Sequence, residues 1–215
     1  MRRSTVQSST TDFSGNGNNG YSPYPFFIAD KWGNANSAYQ FDGVDNFITV
    51  PNSASLNPMH QLTISFWLRV DSIVNNYMDI LVKGGAAYND FANREYALYV
   101  KQHISPYYYL ELKSSGDSLG QHELNSGALL PGEWVFVTSV IDRINHMMWF
   151  YENGVVTDSV SDSYSTFNVN ADSLMIGWSE ENLDQHSPLL GAIDNLRIYN
   201  RALKPAEIQL LYSLH

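Results

Sequence analysis

The 215-residue chain contains no cysteine. Disulfides, thiolate metal ligands and thiol nucleophiles are thereby excluded, and core packing or a hard cation must stabilise the fold. Basic residues are scarce: 12 Lys and Arg face 22 Asp and Glu, a formal net charge of −10. Affinity for nucleic acid grows with the number of phosphates that Lys and Arg neutralise, so nucleic acid is not an expected partner. No apolar run approaches the ~20 residues of a membrane-spanning helix, and no membrane insertion is expected. Met1 to Thr10 are polar and lack the apolar stretch of a secretory leader. Residues 1–11 read as a flexible arm or an artificial junction, which leaves 12–215 as one domain. The six His show no metal-ligand spacing, and there is no Gly-x-Ser-x-Gly elbow or phosphate loop.

Hydrophobic residues make up 44% of the chain and aromatics 13%, enough for one sizeable core. The clearest strand is Gln61 to Val70. There Leu62, Ile64, Phe66, Leu68 and Val70 alternate with Thr63, Ser65, Trp67 and Arg69, a period of two. Gln40 to Pro51 reads as a hairpin turning at Asp42-Gly43, with a proline stop. Asp79 to Lys83, Glu95 to Lys101, Tyr107 to Lys113, Trp134 to Asp142, Met147 to Tyr151 and Leu174 to Gly177 are further short β segments between Gly, Asn, Ser and Pro. One helix is expected at the end, with Pro205 in its first turn and Ile208, Leu211 and Tyr212 on one face. The pattern predicts an all-β fold, two antiparallel sheets stacked as a sandwich, with a short C-terminal helix.

Four motifs narrow this reading. Phe41-Asp42-Gly43-Val44-Asp45 follows Gly33 to Tyr39; Trp134-Val135-Phe136-Val137 and Tyr151-Glu152-Asn153-Gly154 come next; Gly191-Ala192-Ile193-Asp194-Asn195-Leu196-Arg197-Ile198-Tyr199-Asn200-Arg201-Ala202-Leu203 closes the chain. In this order they resemble the laminin G-like family of concanavalin A-like domains, from about Asp12 to the C-terminus. Lys204 departs from it, standing where the family often has a helix-capping Ser, and so does Trp32, where a Phe is common. The resemblance implies a jelly roll with the N- and C-terminal strands adjacent. It also implies a carbohydrate- or protein-binding module of an extracellular or cell-surface protein, using a sheet face or the loops at one rim.

Adjacent chain ends would bring Asp194 to Asp12. Calcium takes carboxylate, amide and carbonyl oxygens, and the Gly- and Asn-rich loop Asp12 to Gly20 supplies them. Together with the resemblance, this predicts a structural calcium held by Asp12, Asn16, Asn18 and Asp194. Alternation places Asp194 on the side of Leu196 and Ile198, pointing inward, where an unpaired carboxylate is costly. The competing reading is a turn at Asp12 and a hydrogen-bonded Asp194 with no metal.

Sugar rings stack their C–H faces on Trp and Tyr while polar neighbours take the hydroxyls, and five Trp and 14 Tyr are available. Trp178, with Glu180 and His186 nearby, is the first candidate platform for a glycan. Tyr107, Tyr108 and Tyr109 are next, because adjacent strand residues face opposite ways and at least one should be exposed. Ordinary cross-strand packing competes for each of them. Glycoside hydrolysis needs two placed carboxylates. The Glu-x-Asp-x-x-Glu strand of related glucanases is absent, and Gln102-His103 and Gln121-His122 lack the spacing of the Gln-x-His strand of related lyases. The expected function is non-catalytic recognition of a glycan or of an extracellular protein, including self-association.

Overall fold

The computed structural model describes residues 8–84, 94–116, 122–179 and 185–214. Among them are sixteen strands and one α-helix. The strands are β1 Ser8–Thr10, β2 Gly20–Ser22, β3 Phe27–Ile28, β4 Ala38–Asp42, β5 Ile48–Val50, β6 Gln61–Val70, β7 Tyr77–Lys83, β8 Tyr96–Gln102, β9 Tyr108–Ser114, β10 His122–Asn125, β11 Trp134–Asp142, β12 Met147–Glu152, β13 Val155–Ser161, β14 Leu174–Ile176, β15 His186–Pro188 and β16 Leu190–Tyr199. Helix α1 is Pro205–Ser213. The larger sheet runs β1-β2-β5-β14-β7-β8-β9-β10, with β15 attached to β7, and the smaller runs β13-β12-β11-β6-β16-β4-β3. Every pairing is antiparallel except β15 on β7.

One core fills the space between the sheets. Leu62, Ile64, Phe66, Leu68 and Val70 of β6 meet Met78, Leu98, Val100, Leu110 and Leu112 of the larger sheet, all buried. At one end the inward phase turns polar. Lys83 Nζ lies 3.2 Å from Glu95 Oε2, both side chains fully buried, and donates at 3.3 Å to the main-chain and side-chain oxygens of Asn170. Beside them Arg143 Nε donates to Asp162 Oδ2 at 3.1 Å, and its Nη2 donates to Ser114 Oγ and Ser115 O at 2.9 Å. Buried charge is tolerated here because it is paired and hydrogen-bonded.

The smaller sheet is covered on its outer side as well. Ile208 of α1 packs with Val140, Tyr151 and Leu203, and Tyr212 lies 5.7 Å from the ring of Trp67. Lys31 Nζ sits 3.4 Å from the centre of Trp67, a cation–π contact that ties the segment before β4 to the helix. Lys204 offers no acceptor for the first turn. Glu207 compensates, accepting from Lys204 N at 2.8 Å and from both terminal nitrogens of Arg201.

Several sequence expectations change. Ser8–Thr10, inside the expected arm, pair with β2. The expected hairpin over 40–51 is a crossover: β4 belongs to the smaller sheet and β5 to the larger. Asp42 Oδ1 accepts the amides of Val44, Asp45 and Asn46, and Gly43 takes a φ of 75°, so a tight loop carries the chain between layers. The terminal strands are not neighbours. Both edges of β16 are occupied, by β4 and β6, and β1 and β2 lie in the other sheet.

Burial pushes the Glu95 carboxyl up to about 7 from an ordinary 4.5, against the lowering pull of Lys83. The folded state therefore holds a proton that the unfolded chain releases. The contribution of this group to stability is greatest below pH ~4.5, falls as pH rises toward 7, and levels off above it. In Glu95→Gln this slope should vanish. Urea unfolding at pH 5 and pH 7.5 should show the wild type losing on the order of 2 kcal/mol more than the variant over that interval.

Candidate functional site

Two-residue periodicity divides β7, β8 and β9 between two environments. Met78, Leu98, Val100, Leu110 and Leu112 point into the core, so Tyr77, Asp79, Tyr99, Lys101, Tyr109, Glu111 and Lys113 point out from the larger sheet. A bulge between Asp79 and Leu81 resets the phase of β7, bringing Val82 to this outer side beside Ala97 and Tyr99 of β8. The registers His186↔Tyr77, Tyr77↔Lys101 and Lys101↔Tyr109 set four side chains in one row across β15, β7, β8 and β9. All four are half-buried, so the row is open at the surface.

His186 stacks on Tyr77, with centroids 4.8 Å apart and planes at 9°, and meets Tyr99 edge-on at 5.2 Å. Lys101 Nζ lies 5.6 Å from the centre of Tyr77. Tyr109 packs against His103 at 4.7 Å, and the exposed Tyr107 stands at that end of the row. Beneath the row lie ion pairs. Glu111 takes Lys101 on one oxygen and Lys113 on the other, the latter at 2.9 Å, and Lys113 reaches Glu123 at 3.4 Å. Burial acts to lower the Lys101 pKa, but its hydrogen bond and charge contact with Glu111 outweigh this and raise it to about 12. Lys101 is a fixed cation at any physiological pH.

Asp79 accepts from Ser179 Oγ at 2.6 Å and from His186 Nδ1 at 2.7 Å, which assigns the ring hydrogen to Nδ1. Asp79 sits between Ser and His, whereas nucleophile activation needs His between Ser and the acid. The group orients the imidazole against Tyr77. Asp79 and Glu111 flank Tyr99 from opposite sides, two strand spacings or roughly 10 Å apart. Their residues are 1% and 0% exposed; Asp79 accepts two hydrogen bonds, and Glu111 is charge-paired with Lys101 and Lys113.

Of the expected ligand contacts, His186 and Tyr109 join this row. Trp178 is half-buried with its ring 5.2 Å from Phe47, Tyr107 is exposed, and Glu180 lies outside the described residues. Tyr108 is corrected to the core. It is fully buried, facing away from Tyr109, and burial drives its phenol pKa up, with Glu152 and Glu133 adding to the rise. Sequence reasoning missed Tyr77, Asp79, Tyr99, Lys101 and Glu111. Their signal is the outward phase Tyr77-x-Asp79, Tyr99-x-Lys101 and Tyr109-x-Glu111-x-Lys113, in which rings and ions recur every second residue.

The four expected calcium ligands do not come together. Asp12 accepts from Ser14 N and Oγ at 2.8 Å and from Asn18 N at 2.9 Å, closing its own loop beside the larger sheet. Asn16 donates its side-chain amide to Ser14 Oγ, while Asn18 bonds Ser53 and Ser55. Asp194 sits in the smaller sheet opposite Trp67, on the outer side rather than the expected inner one. Asn195, with a φ of 53°, lies in a bulge between Asp194 and Arg197 that reverses the alternation counted back from Ile198. Burial raises the Asp194 pKa, and the charge of Asp30 adds to the rise. Among the described residues no three of His, Asp or Glu form a metal-holding group.

If the Asp79 carboxylate fixes this face, Asp79→Ala should cost about 2–4 kcal/mol, because a buried hydroxyl and imidazole lose their acceptor. Tyr107→Ala should stay within about 0.5 kcal/mol, as an exposed substitution does. Urea denaturation of both variants measures the contrast.

No curated protein matches the sequence significantly. Among solved structures, the ligand binding domain of botulinum neurotoxin serotype D in complex with N-acetylneuraminic acid superposes with a TM-score of 0.71 at 15% identity, over 94% of this chain and 47% of that one. The binding domain of paraclostridial mosquitocidal protein 1 gives 0.70 at 18% identity, over 96% and 51%. A botulinum neurotoxin DC binding domain in complex with rat synaptotagmin II gives 0.65 at 14%, over 94% and 48%. The chain thus spans about half the length of these structures, and at such identity they show a shared fold. The family model for the concanavalin A-like lectin/glucanases superfamily, laminin G type, matches residues 41–209. Most of the sandwich, from the end of β4 into α1, lies in that match, and the chain belongs to this superfamily.

Proposed function

We propose that the chain is a non-catalytic recognition module acting outside the cell, binding a neutral glycan across the outer face of the larger sheet. The observation that carries this reading is the row His186, Tyr77, Lys101 and Tyr109, with rings at the surface and ions locked beneath. Rings in this setting stack on the apolar face of a pyranose, while Lys101 and His186 donate or accept at its hydroxyls. The charges of Lys101 and Lys113 are already matched by Glu111 and Glu123, which weighs against an acidic sugar. Asp79 and Glu111 are committed to internal partners and are too covered to protonate or attack a glycosidic bond, which supports binding over hydrolysis. The proposed contacts are made by side chains alone.

Similarly folded domains lend support from both sides. One is described with N-acetylneuraminic acid, another belongs to a toxin whose entry depends on two ganglioside molecules, and a third is bound to synaptotagmin II. A protein partner is the second reading. It draws on β13, an edge strand exposed along its whole length with Val155, Val156 and Val160 at the surface. Such an edge accepts another strand by backbone pairing.

A glycan array decides between them. Neutral oligosaccharides should bind the wild type, and Tyr109→Ala and Tyr77→Ala should each weaken binding at least about tenfold, the loss of one good stacking contact. Phe13→Ala, which alters an exposed ring outside the row, should leave binding unchanged. An array with no hits, together with a dimer in solution that Val156→Lys dissolves, would give the protein reading the stronger case.

A further inference from the structure

The polar end of the core brings together three side chains that an ion pair alone would not require. Lys83 ends β7, and Glu95, just before β8, donates its main-chain N–H to Lys83 O at 2.9 Å. Asn170 lies shortly ahead of Leu174, the residue of β14 registered opposite Lys83. The pairing of β7 with β8 and β14 therefore sets a lysine, an acid and an amide side by side. Lys83 Nζ is 3.2 Å from Glu95 Oε2 and 3.3 Å from Asn170 Oδ1. Asp172 N donates to the same Oδ1 at 3.0 Å.

A salt bridge needs only the ammonium and the carboxylate. The amide adds an electrophile. Its carbon is one bond of about 1.2 Å from Oδ1, so the lysine nitrogen is held within reach of Cγ. Asp172 N already donates to the oxygen on which negative charge would develop during attack. Glu95 is suited to move the protons. Its side chain is fully buried, burial lifts its carboxyl to about 7, and its Oε1 has no hydrogen-bond partner among the described residues. Passing one proton from the ammonium to this carboxylate removes two charges from a site without water, which burial favours. Asn170 is only half-buried, so a small leaving group formed there borders solvent.

We propose that Lys83 and Asn170 join in an intramolecular isopeptide bond, with Glu95 as the catalytic residue of this single self-directed reaction. The Lys83 ammonium gives a proton to Glu95 Oε2, and the freed lone pair of Nζ attacks Asn170 Cγ while Asp172 N holds the oxyanion. Glu95 then delivers its proton to Nδ2 and takes one from the attacking nitrogen. The Nζ–Cγ bond forms, the Cγ–Nδ2 bond breaks, and ammonia leaves. Nothing is oxidised or reduced, and Glu95 ends protonated beside a neutral amide. The bond links residues 87 positions apart, and it restricts the unfolded chain as a disulfide would in a sequence without cysteine.

Intact-mass spectrometry of the purified full chain tests this. The wild type should weigh about 17 Da less than its sequence, the mass of one ammonia. Tandem mass spectrometry of a proteolytic digest should return a branched peptide joining Lys83 to Asn170. Asn170→Ala and Glu95→Gln should each show the full mass and linear peptides only, and Asn170→Ala should unfold at a lower temperature than the wild type. A wild type that keeps its full mass and yields only linear peptides overturns the proposal, as does a loss that maps to other residues. Undiminished crosslinking in Glu95→Gln overturns the role of Glu95. The wild-type mass and digest decide the matter even if a variant fails to fold.

Discussion

The insertion of β16 between β4 and β6 governs the rest of the molecule. The strands approach so closely that a Cβ on Gly191 would lie 2.2 Å from Arg69 O, backbone that cannot yield. With both edges of β16 hydrogen-bonded, the N-terminal strands have no place beside it and pair into the opposite sheet. The same placement sends the chain from Tyr199 over the outer side of the smaller sheet, where Thr63 Oγ1 donates to Arg201 O and accepts from Leu203 N. From there α1 can cover Val140 and Tyr151 and bring Tyr212 to Trp67. Once that side is sealed, the outer face of the larger sheet and the sheet ends are the remaining broad surfaces for recognition.

Two polar clusters differ in what they do. Lys83, Glu95, Arg143 and Asp162, drawn from both sheets, close one end of the core, where loss of one partner would strand a charge away from water. Glu111, Lys101, Lys113 and Asp79 lie on the outward phase and hold their neighbours in fixed positions under an open row of rings. Rigid rings lose little entropy when a ligand arrives, which is the property a weak, stacking-based recognition site needs. Catalysis asks for the reverse: acids with unmatched capacity, exposed to a bond and to water. On this face Asp79 and Glu111 are paired and covered, while the rings of Tyr77 and Tyr109 are partly accessible.

The layers of the fold were legible because period two records which side of a strand is buried. Gln61 to Val70 and Trp134 to Asp142 match β6 and β11 residue for residue. Alternation fails where a bulge adds a residue, and Asp194 was placed on the wrong side for that reason. A turn signal such as Asp42-Gly43 reports a change of direction but not whether the next strand joins the same sheet. The row was harder to see. Tyr77, Lys101 and Tyr109 are far apart in the chain, and only registers between β7, β8 and β9 bring them together. Of the ligand contacts named from sequence, Tyr109 faces the row by the alternation of β9, and His186 belongs to it because β15, three residues long, lies parallel to β7.

The structural likeness to the toxin binding domains fits this division between the two strand phases. At 13–18% identity and TM-scores of 0.65–0.71 the shared information is the fold, which a sandwich encodes in the size and apolarity of its inward-facing residues. Outward-facing residues are under no such packing constraint and can carry any chemistry the sheet will hold. A ligand named for one of those domains therefore says nothing about which rings face outward here, and this chain spans only about half of each. Specificity must be read from this chain's own outward phase. That phase offers two tyrosines and a histidine in one row, cations balanced by acids within the same layer, and a buried His–Asp pair that fixes one ring against another. A neutral, ring-shaped ligand fits such a surface better than an anion does, because an anion would have to displace Glu111 from its lysines, at a desolvation cost that the row cannot offset.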